Sequence, residues 1–422
     1  RVAVRVRPPV RADEAAAGTA SARDANAMHC SGSTLWLLPH GHAEGGTSAE
    51  RQSAARQFSF DWVLGADAGQ DSVFGATCAE TKVIESTLSG VNGCVMCYGQ
   101  TGAGKTHTLS NLREGSEGII PRALQHLFEQ IEQESGADAA EPGQWAVELA
   151  YVQIYMEGVH DLLQPSNQVE IREVPGEGAS LAGCAWVVVR SYADALASMR
   201  AGEKHRVTAA TSLNDTSSRS HTVLLLSVRG RRGAISTHGR LYLVDLAGSE
   251  RVKRSEVTGI AFDEAVSINT SLTCLGRCVA ALAAGGKGVN RPPFRESKLT
   301  RLLSSAFGGR SKTILVICVA PSSADLSEST AALQFGTQAM SVRVQACANA
   351  TVDHKALATQ LIAELDALDL PLRTMESEAV RRMMPGLSEL GDLEAQRDAL
   401  FATNSQLKTE AAAATAAAAA TA

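Results

Sequence analysis

Residues Gly99 to Thr106 read Gly-Gln-Thr-Gly-Ala-Gly-Lys-Thr and fit G-x-x-x-x-G-K-[ST], a spacing that lets backbone N–H groups surround nucleotide phosphates. In front stands Cys94-Val95-Met96-Cys97-Tyr98, an apolar run of strand length, and behind it Thr106 to Leu112 can open a helix. The chemistry requires both. A glycine turn lets amides approach phosphate oxygens closely, and a helix N-terminus adds the positive end of its dipole. Gly99, Gln100, Thr101, Gly102, Ala103 and Gly104 would then wrap the phosphates. Lys105 would reach the β- and γ-phosphates, and the Thr106 hydroxyl would ligate Mg²⁺. A plain glycine-rich turn would leave the strand, the helix and the lysine together unexplained. This stretch is read as a nucleotide-phosphate site.

Two further stretches bear on events after nucleotide binding. Asp245-Leu246-Ala247-Gly248 ends an apolar strand in D-x-x-G. There the acid can hold the Mg²⁺ shell, and the Gly248 amide can approach a γ-phosphate. Asn214-Asp215-Thr216-Ser217-Ser218-Arg219-Ser220-His221 offers hydroxyls from Ser217 and Ser218, the latter a second candidate Mg²⁺ ligand beside Thr106. Arg219 offers a cation for developing charge or a partner for Glu250. Taken singly, an acid before a glycine turn and a serine-rich loop are ordinary features. A loop held by a γ-phosphate can order on binding and release on hydrolysis.

Alternating strand and helix patterns must position these residues. Val2 to Arg7, Phe58 to Trp62, Val147 to Tyr155, Val223 to Arg229, Leu241 to Asp245 and Thr313 to Ala320 read as strands. Asp71–Leu88, Ala193–Gly202, Phe262–Ala284, Ser297–Ala306 and Glu328–Met340 read as helices. Residues 11–57 read as loop with small strands. The expected fold is α/β, a P-loop NTPase with a central, largely parallel mixed sheet and helices on both faces. Past Met340, residues 341–356 read as a linker, 357–408 as short amphipathic or coiled-coil helices, and 409–422 as an Ala/Thr-rich tail. Pro371 interrupts the first a/d ladder, and the second runs Leu390, Leu393, Arg397, Leu400, Asn404, Leu407.

The 422 residues are 45% hydrophobic, enough for a substantial core, and the net charge of −6 argues against a generally cationic nucleic-acid binder. Nine cysteines form no disulfide framework, and Cys94 and Cys97, although spaced C-x-x-C, read as buried strand thiols. No apolar run has the length of a membrane span and no signal peptide opens the chain, so a reducing, cytosolic setting is expected. Arg1 in place of methionine suggests a fragment.

Taken together, the motifs resemble a kinesin motor domain across roughly residues 1–343. They run Val4-Arg5-Val6-Arg7-Pro8, GQTGAGKTHT, GIIPR, Ile154-Tyr155, Asp161-Leu162-Leu163, NDTSSRSH, DLAGSER, INTSL, RESKLTRLL and Phe335-Gly336, in that family's order. The resemblance implies microtubule-stimulated ATP hydrolysis with Mg²⁺, on the cytoskeleton, coupled to movement. Residues 1–340 would be the motor. Lys105 and Thr106 would hold phosphate and Mg²⁺, and Arg5, Arg7, Pro8 and His107 would flank the adenine. Ser217 and Ser218 would belong to switch I, and Asp245 and Gly248 to switch II. Arg219 and Glu250 would form an inter-switch ion pair, with water activation running through a water chain to Glu250. The filament face would centre on the helix near 262–284 and a basic cluster of Lys253, Arg254, Lys287, Arg291, Arg295, Lys298 and Arg301. Such a cluster suits acidic tubulin surfaces.

The chain departs from that family at Thr270, where lysine is usual, at Ser212, at Gln338 and along residues 341–350, and Glu256 adds an acid to an often basic loop. These changes bear on filament affinity and linker docking rather than on nucleotide chemistry. A motor N-terminal to its neck implies plus-end motion and a possible homodimer through the neck. The alternative is a non-motile, nucleotide-gated microtubule-binding or depolymerising protein. An unrelated P-loop ATPase or GTPase ranks last.

Overall fold

The computed structural model describes residues 1–9, 28–37, 55–135, 144–174, 178–211, 219–250, 260–285, 291–307, 311–359, 361–363, 367 and 390–420. Strands in chain order are β1 (Val2–Val6), β2 (Met28–Ser31), β3 (Thr34–Leu37), β4 (Arg56–Ser59), β5 (Trp62–Leu64), β6 (Gly93–Tyr98), β7 (Gln144–Tyr155) and β8 (Gly158–Asp161). They continue as β9 (Glu170–Val174), β10 (Gly178–Ala182), β11 (Val187–Val189), β12 (His221–Arg232), β13 (Ile235–Asp245), β14 (Lys312–Val319) and β15 (Ala350–Val352).

The central sheet has the order β11-β7-β12-β13-β6-β14-β1-β5, with β8 on β7 and β15 on β13. From β13 through β6, β14 and β1 to β5 every pairing is parallel. Parallel strands need covered faces, and β6 is accordingly apolar and buried from Gly93 to Cys97. Its side chains alternate. Cys94 and Met96 join a core with Leu272, Leu275 and Val279 of the Ile260–Ala283 helix and Leu333 of the Leu326–Met340 helix. Val95 and Cys97 point to the opposite face, and the Val83–Leu88 and Lys105–Leu109 helices pack against β6. The expected mixed sheet with helices on both faces is present.

Local differences have identifiable causes. The stretch read as one helix from Asp71 to Leu88 is broken into Gln70–Phe74, a π turn over Gly75–Ala79, and Val83–Leu88. Lys82 sits at φ 50, a left-handed conformation that no helix interior tolerates. The strand read from Val223 extends to Arg232, and the 193–202 helix runs from Tyr192 to Thr211. The Ala/Thr-rich end is helical, within Leu390–Ala420, because alanine has the highest helix propensity. Pro371 lies outside the described residues, as do Leu365, Leu368 and Leu372 of the first a/d ladder, which begins at Ala358 and Leu361.

The chain divides into two units. One holds residues 1–133, 146–229 and 238–349, and with them the phosphate loop. Within it, the segment after Met340 lies extended. Val342 and Val344 line a cavity of about 50 Å³ with Met96, Val279, Phe335 and Ala339. Ala348 bridges to Val91, and the Asn349 amide Nδ2 donates to the Gly90 carbonyl (3.0 Å), Asn92 Oδ1 (3.2 Å) and the His238 carbonyl (3.2 Å). The other unit holds 134–145, 230–237 and 350–422. In it β15 pairs antiparallel with Ile235–Thr237, and Arg232 stacks on the Trp145 ring at 5.8 Å. No described helix is long and apolar enough to cross a membrane.

Candidate nucleotide site

In open α/β sheets ligands sit beyond the C-terminal ends of the parallel strands. Here β6 ends at Tyr98 and runs into the glycine loop, while β13 ends at Asp245 in register with Cys97. That register alone places Asp245 beside the phosphate loop, although Thr106 and Asp245 are 139 residues apart in the chain. The segment after Asp245 is then sewn to the loop's base: the Leu246 amide donates to the Cys97 carbonyl (3.3 Å) and the Ser249 amide to the Gly99 carbonyl (3.1 Å). Gly99 is required at the turn, since a Cβ there would stand 2.1 Å from the Cys318 carbonyl oxygen. Gly104, at φ 93, sets the first turn of the Lys105–Leu109 helix.

Four of the sequence-predicted residues converge at this mouth. Lys105 is buried and its ammonium donates to the Gln100 carbonyl at 2.9 Å. Burial lowers its pKa, and Asp245 and Glu250 partly offset this by favouring the cation. The Thr106 hydroxyl donates to Asp245 Oδ2 at 2.6 Å. Asp245 is buried at 2% exposure, which raises its pKa against the pull of Arg206, Thr106 and Lys105. Its other oxygen, Oδ1, is buried with no hydrogen-bond partner among the described residues. Glu250 lies across the loop, accepting from the Thr101 amide (2.8 Å) and the Thr101 hydroxyl (2.5 Å). It covers Gly248, where a Cβ would meet Thr101 Oγ1 at 2.3 Å and Glu250 Oε2 at 2.4 Å.

The Thr106 hydroxyl and the Asp245 carboxylate are hard oxygen donors, and Asp245 Oδ1 is a buried acceptor in want of a cation or its water. They fit Mg²⁺. Among the described residues no three His, Cys, Asp or Glu side chains converge, which is the sparse protein contribution Mg²⁺ shares with substrate phosphates. Cys94 and Cys97 are fully buried, and burial raises both thiol pKa values, so they behave as strand thiols.

The other expected residues fall at the rim, behind the loop or outside the described chain. Arg5 is buried, donating to Gln70 Oε1 and Thr108 Oγ1 (both 2.8 Å) and to the Ala68 carbonyl (3.4 Å). Its guanidinium thus ties β1 to the helix behind the phosphate loop. Gln70 in turn donates to the His107 carbonyl at 2.7 Å. His107 and Pro8 are exposed at the rim, and Arg7, half-buried, donates its amide to the Val319 carbonyl (3.0 Å). Arg219 is half-buried two residues before β12. Ser217 and Ser218 lie outside the described residues, as do Lys253, Arg254 and Lys287.

The remaining candidate filament cations are unequal. Arg295 is exposed but forms a two-bond ion pair with Glu173 (3.2 and 2.8 Å). Arg291 is exposed, and Lys298 and Arg301 are half-buried on the short Lys298–Leu302 helix. Glu157 caps that helix, accepting from the Ser297 hydroxyl (3.1 Å) and the Lys298 amide (2.7 Å).

Sequence reading missed a buried polar brace behind Asp245. Arg206, from the Tyr192–Thr211 helix, lies 3.7 Å from Asp245 Oδ2 and 3.7 Å from Glu203 Oε1, and the Tyr151 hydroxyl donates to the same Glu203 oxygen. That helix is weakly amphipathic, so neither pattern nor spacing separates Arg206 from its solvated neighbours. Only the fold does.

A family model described as the kinesin motor domain matches residues 5–342. Kinesin-like protein KIN-UA of Arabidopsis thaliana is 39% identical over 337 residues, covering 74% of this chain and 35% of its own length. Kinesin-like protein KIN-UB of Oryza sativa subsp. japonica is 39% identical over 341 residues, covering 74% of this chain and 37% of its own length. The chain therefore spans about a third of the curated relatives it matches. A solved structure of a fast kinesin superposes with TM-score 0.71 at 32% identity, covering 84% of this chain and 94% of that one. A KIF14 dimer with AMP-PNP in complex with a microtubule gives TM-score 0.71 at 32% identity, covering 86% and 98%. The motif order, the phosphate loop on β6 and Asp245 at the end of β13 all agree with these matches, and the chain belongs to the kinesin motor-domain family.

Proposed function

We propose that this chain is a microtubule-stimulated ATP hydrolase that couples phosphate sensing to movement along microtubules. The observation that carries the reading is the convergence of Lys105, Thr106, Asp245 and Glu250 on one phosphate loop. Lys105 would leave the Gln100 carbonyl for the β- and γ-phosphate oxygens. Mg²⁺, when bound, neutralises charge on those oxygens. Thr106 and Asp245 would hold it, with Ser218 a further proposed ligand, while Arg206 keeps the Asp245 carboxylate oriented. Glu250 would leave Thr101 as the switches close, meet Arg219, and receive the proton of the attacking water through a water chain. Ser217 and the Gly248 amide would face the γ-phosphate, and Arg7, Pro8 and His107 would form the adenine rim. Arg5 supports that rim from behind.

Movement would come from the segment after Met340. Its contacts through Val342, Val344 and Asn349 support a linker that docks along the first unit. The motor would span 1–340, the linker 341–356 and the neck 357–408, with 409–422 beyond it, and a second copy would join through the neck. The microtubule face would use Lys253, Arg254, Lys287, Arg291, Lys298 and Arg301. The Arg295–Glu173 pair favours the second reading, a non-motile nucleotide-gated microtubule-binding or depolymerising protein, since it neutralises one cation of that face.

ATPase turnover with and without microtubules, alongside surface gliding, decides between them. Stimulated turnover with plus-end gliding is expected. Stimulation without gliding would sink the motor reading, and absence of both stimulation and pelleting with a non-hydrolysable ATP analogue would sink both. Glu250→Ala is expected to retain nucleotide and lose stimulated turnover, and a variant that keeps its rate removes Glu250 from the reaction.

A further inference from the structure

Between Asp245 and Gly248 stands Ala247, which is fully buried. Its backbone amide donates to His221 Nδ1 at 3.0 Å. The other ring nitrogen, Nε2, lies 2.9 Å from Ser271 Oγ on the Ile260–Ala283 helix. The Ser271 hydroxyl donates in turn to the Ile268 carbonyl of the same helix at 2.8 Å. His221 and Ser271 are both 3% exposed.

The direction of every proton in this chain is forced. A backbone amide can only donate, so Nδ1 must accept and the ring hydrogen must reside on Nε2. The Ser271 hydroxyl has given its own proton to Ile268, so it accepts from Nε2. Burial, with the Lys105 ammonium adding to it, drives the imidazole pKa down to about 3, which keeps the ring neutral and this tautomer in place. No member can reverse. If the Ala247 amide moves, Nδ1 becomes a buried acceptor without a donor unless the ring follows. If the ring follows, Ser271 and its helix feel it.

The covalent route between the same two points is long. From Gly248 to the start of the Ile260–Ala283 helix the chain passes through residues 249–259. Two hydrogen bonds between buried groups, Ala247 to His221 and His221 to Ser271, join the same two points directly. Beyond Ser271 the same helix buries Leu275 and Val279, and Val279 lines the small cavity with Val342 and Val344.

We propose that His221 is a positioning residue that reports the place of the Asp245–Gly248 segment to the Ile260–Ala283 helix through Ser271. Among the described residues its ring nitrogens pair with the Ala247 amide and the Ser271 hydroxyl. The inference deepens the proposed function, because it names the side chains through which phosphate sensing would reach the rest of the domain.

Hydrogen exchange on the whole chain, comparing ADP with a non-hydrolysable ATP analogue, tests it without any filament. In wild type the analogue is expected to change amide exchange in both 245–250 and the 260–283 helix by about fivefold or more. In Ser271→Ala the 245–250 response is expected to persist and the helix response to fall to about twofold or less. His221→Asn, which keeps an acceptor for Ala247 but is too short for Ser271, should behave like Ser271→Ala, and Ser271→Thr should restore the response. A helix that still responds in Ser271→Ala, or that never responds in wild type, overturns the proposal. So does loss of the response in 245–250 as well, which would mean mere structural damage. In parallel, Ser271→Ala should keep its unstimulated ATP turnover within about twofold and lose about tenfold of any microtubule stimulation. Wild type showing no stimulation at all condemns the proposed function alone, since the exchange experiment still decides the linkage.

Discussion

Asp245 accepts a 2.6 Å hydrogen bond from the Thr106 hydroxyl while its second oxygen stays buried without a partner among the described residues. The two residues are brought together by β-sheet register, and they are the oxygen donors proposed for Mg²⁺. Hydrogen bonds to charged groups contribute about 1.5–3 kcal/mol, so Thr106→Val should lower the stability of the nucleotide-free protein by that order. It should also release nucleotide at least about tenfold faster, because one of the few protein oxygens for Mg²⁺ is gone. Chelating Mg²⁺ should speed release from wild type and add little in the variant. Fluorescent-ADP release measured across a Mg²⁺ titration checks this. Equal sensitivity to chelation in both proteins would remove Thr106 from the metal site.

Gly248 sits under Glu250 with no room for a methyl group. In Gly248→Ala the Cβ would fall 2.3 Å from Thr101 Oγ1 and 2.4 Å from Glu250 Oε2, so the carboxylate must leave the phosphate loop. Nucleotide binding should survive, since Lys105 and Thr106 are untouched, while stimulated turnover should fall about a hundredfold or more as the methyl group holds the Gly248 amide off the γ-phosphate. Equilibrium nucleotide affinity set against kcat separates the two effects. A variant with wild-type kcat would show that the cycle needs no close approach of the Gly248 amide to the γ-phosphate.

Asn349 shares the two protons of its side-chain amide among three acceptors, Gly90, Asn92 and His238. Residues 345–349 are all exposed, so apolar burial does not hold the end of this segment and polar contacts such as this amide must. Asn349→Ala should leave ATP turnover near wild type and reduce gliding velocity severalfold, because the coupling lost is mechanical. Exchange of the amides at 342–349 should rise in step. Unchanged gliding with raised exchange would mean that this docking is dispensable for movement.

Much of the site is legible in the residues themselves. Gly99, Lys105 and Thr106 announce themselves because phosphate chemistry constrains residue type at fixed local spacing. Asp245 is visible as an acid at the end of an apolar strand. Local pattern does not reveal what depends on register and on packing between distant elements. The neighbours of Arg5 are Gln70, Thr108 and Ala68, none within 60 residues of it, so its role as a buttress rather than an open rim cation needs the β1–β14–β6 alignment. Arg206 is one cation among several on a polar helix, and only the approach of that helix to β13 sets it beside Asp245. Lys82 at φ 50 ends a helix that periodicity alone carries through. The weakly periodic stretch after Met340 reads as a linker because it lacks pattern, and the same lack hides the contacts that Val342, Val344 and Asn349 make.

His221 supplies the last prediction, through its charge. Its folded pKa of about 3 stands against an ordinary value of 6.5, with burial the leading cause. Below pH 6.5 the unfolded chain takes up a proton that the folded chain refuses, so this residue's contribution is fully present above that pH. It is lost as pH falls, at about 1.4 kcal/mol per pH unit, until pH nears about 3. Asp245 runs the other way, its raised pKa favouring the fold as pH falls, but it is common to wild type and to His221→Asn and cancels in their difference. The stability advantage of wild type over His221→Asn should therefore shrink by about 2 kcal/mol between about pH 7 and about pH 5. Urea unfolding of both proteins at the two pH values measures it. Parallel curves would place a protonatable, solvated imidazole at 221 and would break the fixed tautomer on which the link from Ala247 to Ser271 depends.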